Sequence, residues 1–326
     1  MKTVLFGAFD RHNLGDILLA AVAAEKVGAA VTAAGLAERD MSSFGGPRVL
    51  ALASLREPIR LIHVGGELLD CDAAQAAWML GQPGLRWGRA APYVVGKSRL
   101  PAGSRVEFHA VGGVGLAARD AAFREEVLAA LRTADFVTVR DSATQGELAA
   151  AGIVAPLVPD PVTRIAALFG PTLRARRLPE FPSGYLAVQF AAECGDDATL
   201  AAFARGLELI GLPVVLFRAG AAPWHDDLEP YQRLASRLAV PVRIFESLDV
   251  RDICALIAAS RGCIATSLHA RIVAESFGVP ALTLEREPGS AQKVRAYLDT
   301  WSPGAVPLDP AAFAAGGFGF PATIPA

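Results

Sequence analysis

The chain has 326 residues, 52% of them hydrophobic, a mean hydropathy of +0.36 and a formal net charge of −2. That length predicts about two domains with large cores, and no apolar run approaches the ~20 residues needed to span a bilayer. The charge balance gives no reason to expect nucleic acid or an anionic membrane as a partner. The four scattered cysteines, Cys71, Cys194, Cys254 and Cys263, lack the spacing of a disulfide or zinc framework.

In chain order, strand and helix alternate almost throughout. The N-terminal MKTVLFGAFDRHNLGD is too short in its apolar part for a signal peptide, and Thr3–Phe6 reads as a first strand. A cytoplasmic location is expected. Gly7–Gly15 reads as a polar turn and Asp16–Val27 as a helix. Ala30–Ala34 and Ile59–Val64 read as strands, the latter ending at Gly65-Gly66. Ala73–Leu80 is expected to be helical. Gly81–Gly103 is a long Gly-, Pro- and Arg-rich segment, of a kind that usually covers a site or moves. Val106–Val111, Ala118–Thr133, Phe136–Val139 and Ser142–Ala151 continue the strand–helix rhythm.

Arg164–Gly184 carries three prolines and an arginine cluster, and its core, residues 166–182, reads as an inter-domain linker. The alternation then restarts. Strands are expected at Tyr185–Phe190, Val214–Phe217, Val242–Phe245, Cys263–Ala265 and Ala281–Leu284. Helices are expected at Asp196–Ile210, Asp227–Leu238, Val250–Ala259, Leu268–Phe277 and Ser290–Thr300. Two βα-repeating halves, 1–165 and 183–300, predict an α/β protein of two Rossmann-like domains with mainly parallel sheets, facing across a cleft. Residues 301–326 read as a surface tail.

Polar clusters follow several of the strands, where ligands of open parallel sheets bind. Asn13-Leu14-Gly15-Asp16 is a turn into a helix that could bind a phosphate or sugar hydroxyl, or merely cap the helix. It is not GxGxxG, so dinucleotide binding is a poor reading. Gly65-Gly66-Glu67 and Val111–Gly115 permit close backbone approach, to a ligand or to a neighbouring element. Arg140 could clamp a carboxylate or phosphate, or pair with Asp141. Thr266 and Ser267 are capping types at the start of a helix closed by Gly278. His269 falls in that helix's first turn, where an imidazole either closes the turn or exchanges a proton. His12, His63, His109 and His225 show no metal-ligand spacing, and there is no nucleophile elbow or P-loop.

The ordered set N-L-G-D (13–16), V-G-G-E-L-L-D (64–70), V-T-V-R-D-S-A-T (137–144), P-D-P (159–161), T-S-L-H-A-R-I-V-A-E-S-F-G-V-P (266–280) and Q-K-V-R-A-Y-L (292–298) resembles the polysaccharide pyruvyl transferase family. The resemblance implies a glycosyltransferase-B-like pair of domains. It also implies transfer of a carboxyvinyl unit from phosphoenolpyruvate to sugar hydroxyls of an exopolysaccharide or other cell-surface precursor, usually as a ketal, with release of phosphate. His269 matches the family's active-site histidine. Arg140 matches its V-R-D arginine, and Asn13 and Asp16 match its N-terminal motif. Gly65, Gly66, Ser267 and Lys293 join these as candidate substrate contacts. The chemistry requires no metal or organic cofactor, and the implied partners are phosphoenolpyruvate and a free, glycan-borne or lipid-linked sugar. Many members carry an arginine at the position of Ser267 and another near Gln189-Phe190, and their loss would weaken phosphate binding unless Arg11, Arg218 or Lys293 substitutes. A nucleotide-sugar glycosyltransferase, with Glu275 or Glu285 on a ribose, and a non-catalytic glycan-binding protein are the alternatives.

Overall fold

The computed structural model describes residues 1–28, 30–176, 181, 184–223 and 225–317. The chain divides into two compact units. The first comprises Met1–Val162 with Ala296–Gly304, and the second Thr163–Arg295 with Ala305 onward.

The first unit runs β1 (Lys2–Phe6), α1 (Leu14–Val27), β2 (Val31–Gly35), β3 (Arg39–Asp40), β4 (Arg48–Ala51), β5 (Ile59–Glu67), α2 (Ala73–Met79), β6 (Arg105–Gly112), α3 (Ala121–Arg132), β7 (Phe136–Val139) and α4 (Ser142–Ala150). Its sheet has the order β3-β4-β2-β1-β5-β6-β7. Every pairing is parallel except β3 with β4. The central strands are apolar along their length, as strands covered on both faces must be. Val4, Phe6, Leu61, Val106 and Phe108 are all inaccessible to solvent. The short β3 and β4 lie between Ala34 and Ile59, where no element is expected from sequence.

The second unit runs α5 (Ile165–Arg174), β8 (Leu186–Gln189), α6 (Asp197–Ile210), β9 (Val214–Leu216), α7 (Leu228–Ala235), β10 (Val242–Ile244), α8 (Val250–Ala258), β11 (Gly262–Ala265), α9 (Leu268–Ser276), β12 (Ala281–Thr283), the start of α10 (Gln292–Trp301), which from Ala296 on belongs to the first unit, and α11 (Pro310–Ala315). Its five strands, all parallel, have the order β10-β9-β8-β11-β12. Phe190, Phe203, Leu207 and Tyr231 fill its core, with Phe190 and Tyr231 stacked at 4.4 Å.

Two sequence expectations change. The 166–182 stretch, expected as a linker, holds most of a helix: α5 buries Ile165, Gly170 and Leu173 and packs on α8 and α9. Its apolar spacing outweighs Pro171, which removes one helical hydrogen bond. Arg176, from the same arginine cluster, is ion-paired with Asp249 at 2.9 Å and with Asp252 at the start of α8. Residues 177–180 and 182, the rest of that expected linker, lie outside the described residues. Within the expected 301–326 tail, α11 packs on α6, and Phe313 is fully buried edge-on to Phe203. A Cβ at Gly206 would lie 2.4 Å from Phe313, so a glycine is needed where the two helices meet. Residues 318–326 lie outside the described set. Among the described residues no helix is long and apolar enough to cross a membrane.

Candidate functional site

In both units the polar residues singled out from sequence gather at the carboxyl edge of the sheet, and each unit builds its own cluster.

In the first unit, Asn13 caps α1. Its side-chain oxygen accepts from the N–H groups of Gly15 (3.0 Å) and Asp16 (3.2 Å). Asp16 therefore stands in the first turn, where a helix N-terminus favours a carboxylate, and Arg11 lies 3.5 Å from it. Gly65 and Gly66 belong to β5 and both have left-handed backbone, φ 76° and 84°. A Cβ at Gly65 would press to 2.9 Å from Leu19 of α1, and one at Gly66 would stand 3.4 Å from the Asp16 carboxylate. The paired glycines thus serve the close approach of α1, the second of the two roles the sequence left open.

Arg140 emerges from β7 completely enclosed. One terminal nitrogen donates to Asp160 (2.9 Å) and the other to Glu67 (2.7 Å). Its carbonyl oxygen accepts from Trp301 Nε1 at 2.7 Å. Burial disfavours the guanidinium charge, yet the Glu67 and Asp160 carboxylates more than compensate and hold its pKa above the ordinary arginine value. Asp141, the partner expected from sequence, instead caps α4 by accepting from Thr144 N at 2.7 Å. Glu67 also accepts from Val114 N at 2.7 Å. A Cβ at Gly112 would sit 2.6 Å from its carboxylate, so the V-G-G-V-G turn wraps this ion pair.

The long Gly/Pro/Arg segment supplies a residue that sequence reasoning missed. Tyr93 is wholly buried, accepts from Arg11 (3.0 Å) and donates to Asp10 (3.3 Å). The segment is pinned nearby, because Val95 N donates to His63 Nε2 at 3.2 Å. His63 Nδ1 must then carry the proton, which it gives to the Glu107 carbonyl at 3.1 Å. Burial pushes its pKa down to about 3, so it is a neutral core residue. Asp70, beside the same turn, is raised to about 6 by burial and by the Glu67 charge, against a hydrogen bond from Gly115 N.

In the second unit, β11 delivers Thr266 and Ser267 to the sheet edge. Ser267 caps α9 by accepting from Ala270 N at 3.3 Å, and His269 follows in the first turn, half-buried. Gln189, at the end of the neighbouring β8, fixes this helix start. Its Oε1 accepts from Ser267 N at 2.9 Å, while its Nε2 donates to the buried Asp226 carboxylate at 3.0 and 3.1 Å. Asp226 also receives the N–H groups of Ala219 (2.5 Å) and Gly220 (3.2 Å). Burial nevertheless raises its pKa to about 7, against the pull of these bonds and of the Arg218 charge. Neither Asp226 nor the bridging role of Gln189 could be read from local sequence, because each acts across strands distant in the chain. Lys293 is exposed on α10 and makes no bond to this network.

Of the ribose candidates, Glu285 is buried against Arg295 and also accepts from Gly289 N at 3.1 Å, and Glu275 pairs with Arg271 at 2.8 Å. Among the described residues no group of three or more His, Cys, Asp or Glu side chains is arranged to hold a metal ion.

A search of curated protein sequences returned no match. Among solved structures, the chain is similar to UDP-N-acetylglucosamine 2-epimerase from Rickettsia bellii, with 11% identity, a TM-score of 0.52 and coverage of 91% of this chain and 86% of that one. It is also similar to the Methanocaldococcus jannaschii UDP-GlcNAc 2-epimerase solved with UDP-GlcNAc and UDP, with 10% identity, a TM-score of 0.51 and coverage of 96% and 97%. Identities this low establish the fold alone, an α/β fold of glycosyltransferase-B-like type. A family model for polysaccharide pyruvyl transferase matches residues 13–288, from the cap of α1 to just beyond β12, and the chain belongs to that family.

Proposed function

We propose that this protein transfers a carboxyvinyl unit from phosphoenolpyruvate to sugar hydroxyls of a cell-surface or exopolysaccharide precursor in the cytoplasm, closing a pyruvate ketal and releasing phosphate. The observation that carries the reading is family membership over 13–288, together with His269 in the first turn of α9 at the sheet's carboxyl edge.

In this reading His269 is the proton carrier. It gives a proton to the donor's methylene carbon as positive charge develops at C2, where a sugar hydroxyl adds. The imidazole then takes up the hydroxyl proton. Departure of phosphate breaks the C2–O bond, and a second hydroxyl adds to C2 to complete the ketal, its proton leaving with the phosphate. The Ser267 hydroxyl and the α9 start offer dipoles to the anionic donor, and Lys293 offers a mobile cation. Gln189 is a positioning residue, because it holds the Ser267 backbone while anchored to Asp226. In the first unit Asn13 and Asp16 form a polar turn suited to sugar hydroxyls, and Gly65 and Gly66 act on it indirectly by letting α1 pack close. Arg140, also expected to grip substrate, has both terminal nitrogens engaged by carboxylates and is better suited to holding Glu67 and the Gly112–Gly115 turn in place. No step here calls for a metal or organic cofactor.

The test is phosphate release from phosphoenolpyruvate across a panel of glycan and lipid-linked acceptors, with mass spectrometry of the acceptor for the added ketal. Parallel reactions offer UDP-sugars as donors. Acceptor-dependent phosphate release with a ketal product is expected. Sugar transfer from a UDP-sugar, with no turnover of phosphoenolpyruvate, would overturn the reading in favour of a glycosyltransferase.

A further inference from the structure

Arg218 lies at the carboxyl edge of the second sheet, two residues past Leu216 of β9. Leu216 and Ile264 flank Val188 of β8 from either side, and Thr266 stands two residues past Ile264. The backbone here is fixed, since Phe217 N donates to Val188 O at 2.9 Å and Ala219 N donates to Asp226. Arg218 is half-buried, its Nε is shielded from solvent, and that nitrogen has no hydrogen-bond partner among the described residues. No other hydrogen bond or ion pair joins its guanidinium to a described residue.

The obvious counter-charge is already committed. Both oxygens of Asp226 are taken by Gln189 Nε2 and by two backbone N–H groups. Its charge and that of Arg218 influence one another without contact. A desolvated guanidinium nitrogen with nothing to donate to is costly, and native proteins keep few such groups without a reason. The other candidate cations contrast with it at their terminal nitrogens or in exposure, although the Arg11 Nε is likewise unsatisfied. Arg11 is committed to Asp16 and Tyr93, Arg140 to Glu67 and Asp160, and Lys293 is exposed. The planar fork of an arginine matches a carboxylate or a phosphate. Arg218 stands beside the bonded network of Asp226, Gln189 and the capped start of α9, one residue before Ala219, whose N–H donates to Asp226.

We propose that Arg218 is the anion anchor of the second unit, holding the carboxylate or phosphate of the donor. The proposal rests on the reading of phosphoenolpyruvate as donor, and its test separates the two.

Phosphoenolpyruvate, inorganic phosphate, pyruvate and UDP are titrated calorimetrically into the parent protein and into Arg218→Ala, Arg218→Gln and Arg218→Lys. Arg205→Ala, which removes an exposed cation from α6 of the same unit, controls for net charge. A charge-assisted, two-pronged contact corresponds to a loss of roughly 10- to 100-fold in affinity. That loss is expected for Arg218→Ala and Arg218→Gln, with a smaller one for Arg218→Lys and none for Arg205→Ala. Because the Arg218 guanidinium makes no hydrogen bond or ion pair among the described residues, the melting temperature without ligand should stay within about 2 °C of the parent. The phosphate and pyruvate titrations identify which end of the donor the arginine holds. Should Arg218→Ala fail to fold, the glutamine variant carries the same test. Phosphoenolpyruvate affinity within threefold of the parent in these variants refutes the anchor and leaves the donor reading standing. UDP binding that depends on Arg218, with no phosphoenolpyruvate binding by the parent, refutes the donor reading and keeps the anchor.

Discussion

Arg140→Met separates a structural arginine from a ligand-binding one. Methionine keeps the unbranched apolar stem, so little packing is lost, but the charge between Glu67 and Asp160 disappears. The Arg140 and Asp160 side chains are 3% and 0% exposed, and Glu67 only 21%, so solvent cannot substitute for the missing cation. Removing one member of a buried ionic group strands the others, at a cost of about 3–5 kcal/mol. At roughly 2–4 °C per kcal/mol for a unit of this size, the first unit should melt about 6–20 °C lower. Scanning calorimetry at pH 7 measures this. Glu67→Gln, which still accepts from Val114, should cost less. An unchanged melting temperature, combined with weakened phosphoenolpyruvate binding, would refute the reasoning and make Arg140 an anion clamp.

Three further outcomes are expected. His269→Ala should fold normally, since the half-buried residue sits at a helix start, and should lower turnover in the phosphate-release assay by roughly 10²–10⁴-fold; His269→Asn should be nearly as inactive, and full activity in either would remove the histidine from catalysis. Asp226 has a folded pKa of about 7 against about 4 when unfolded, so the folded state keeps a proton that the unfolded chain releases. Its contribution therefore declines as pH rises from about 4 to 7 and is level above that, by up to about 4 kcal/mol in all; denaturant melts of Asp226→Asn against the parent should show a stability difference that changes across that window, and a constant difference would contradict the shift. Phe313→Ala should cost the second unit about 3–5 kcal/mol; urea titration reads this directly, and no change would return α11 to the status of an appended tail.

Much of the architecture was legible in the chain itself. Apolar runs such as Val106–Val111 and Cys263–Ala265, separated by amphipathic stretches with Asp or Ser caps, fix parallel strands and crossover helices. The reason is that period and capping are local physics. Asp120, Asp196 and Ser267 each accept a hydrogen bond in the first turn of the helix they precede. His269 was equally visible as the polar residue of a first turn after a strand. The linker reading failed at α5, because tertiary burial of Ile165 and Leu173 overrode a local proline signal. The clusters themselves were beyond local reading. Arg140 meets Glu67 and Asp160, Gln189 joins Asp226 to Ser267, and Tyr93 reaches Asp10 and Arg11, all across separations of 20 to 83 residues. A short sequence stretch states which side chains carry charge. Only strand order and register decide which of those charges neutralise one another in the interior and which, like that of Arg218, makes no ion pair among the described residues.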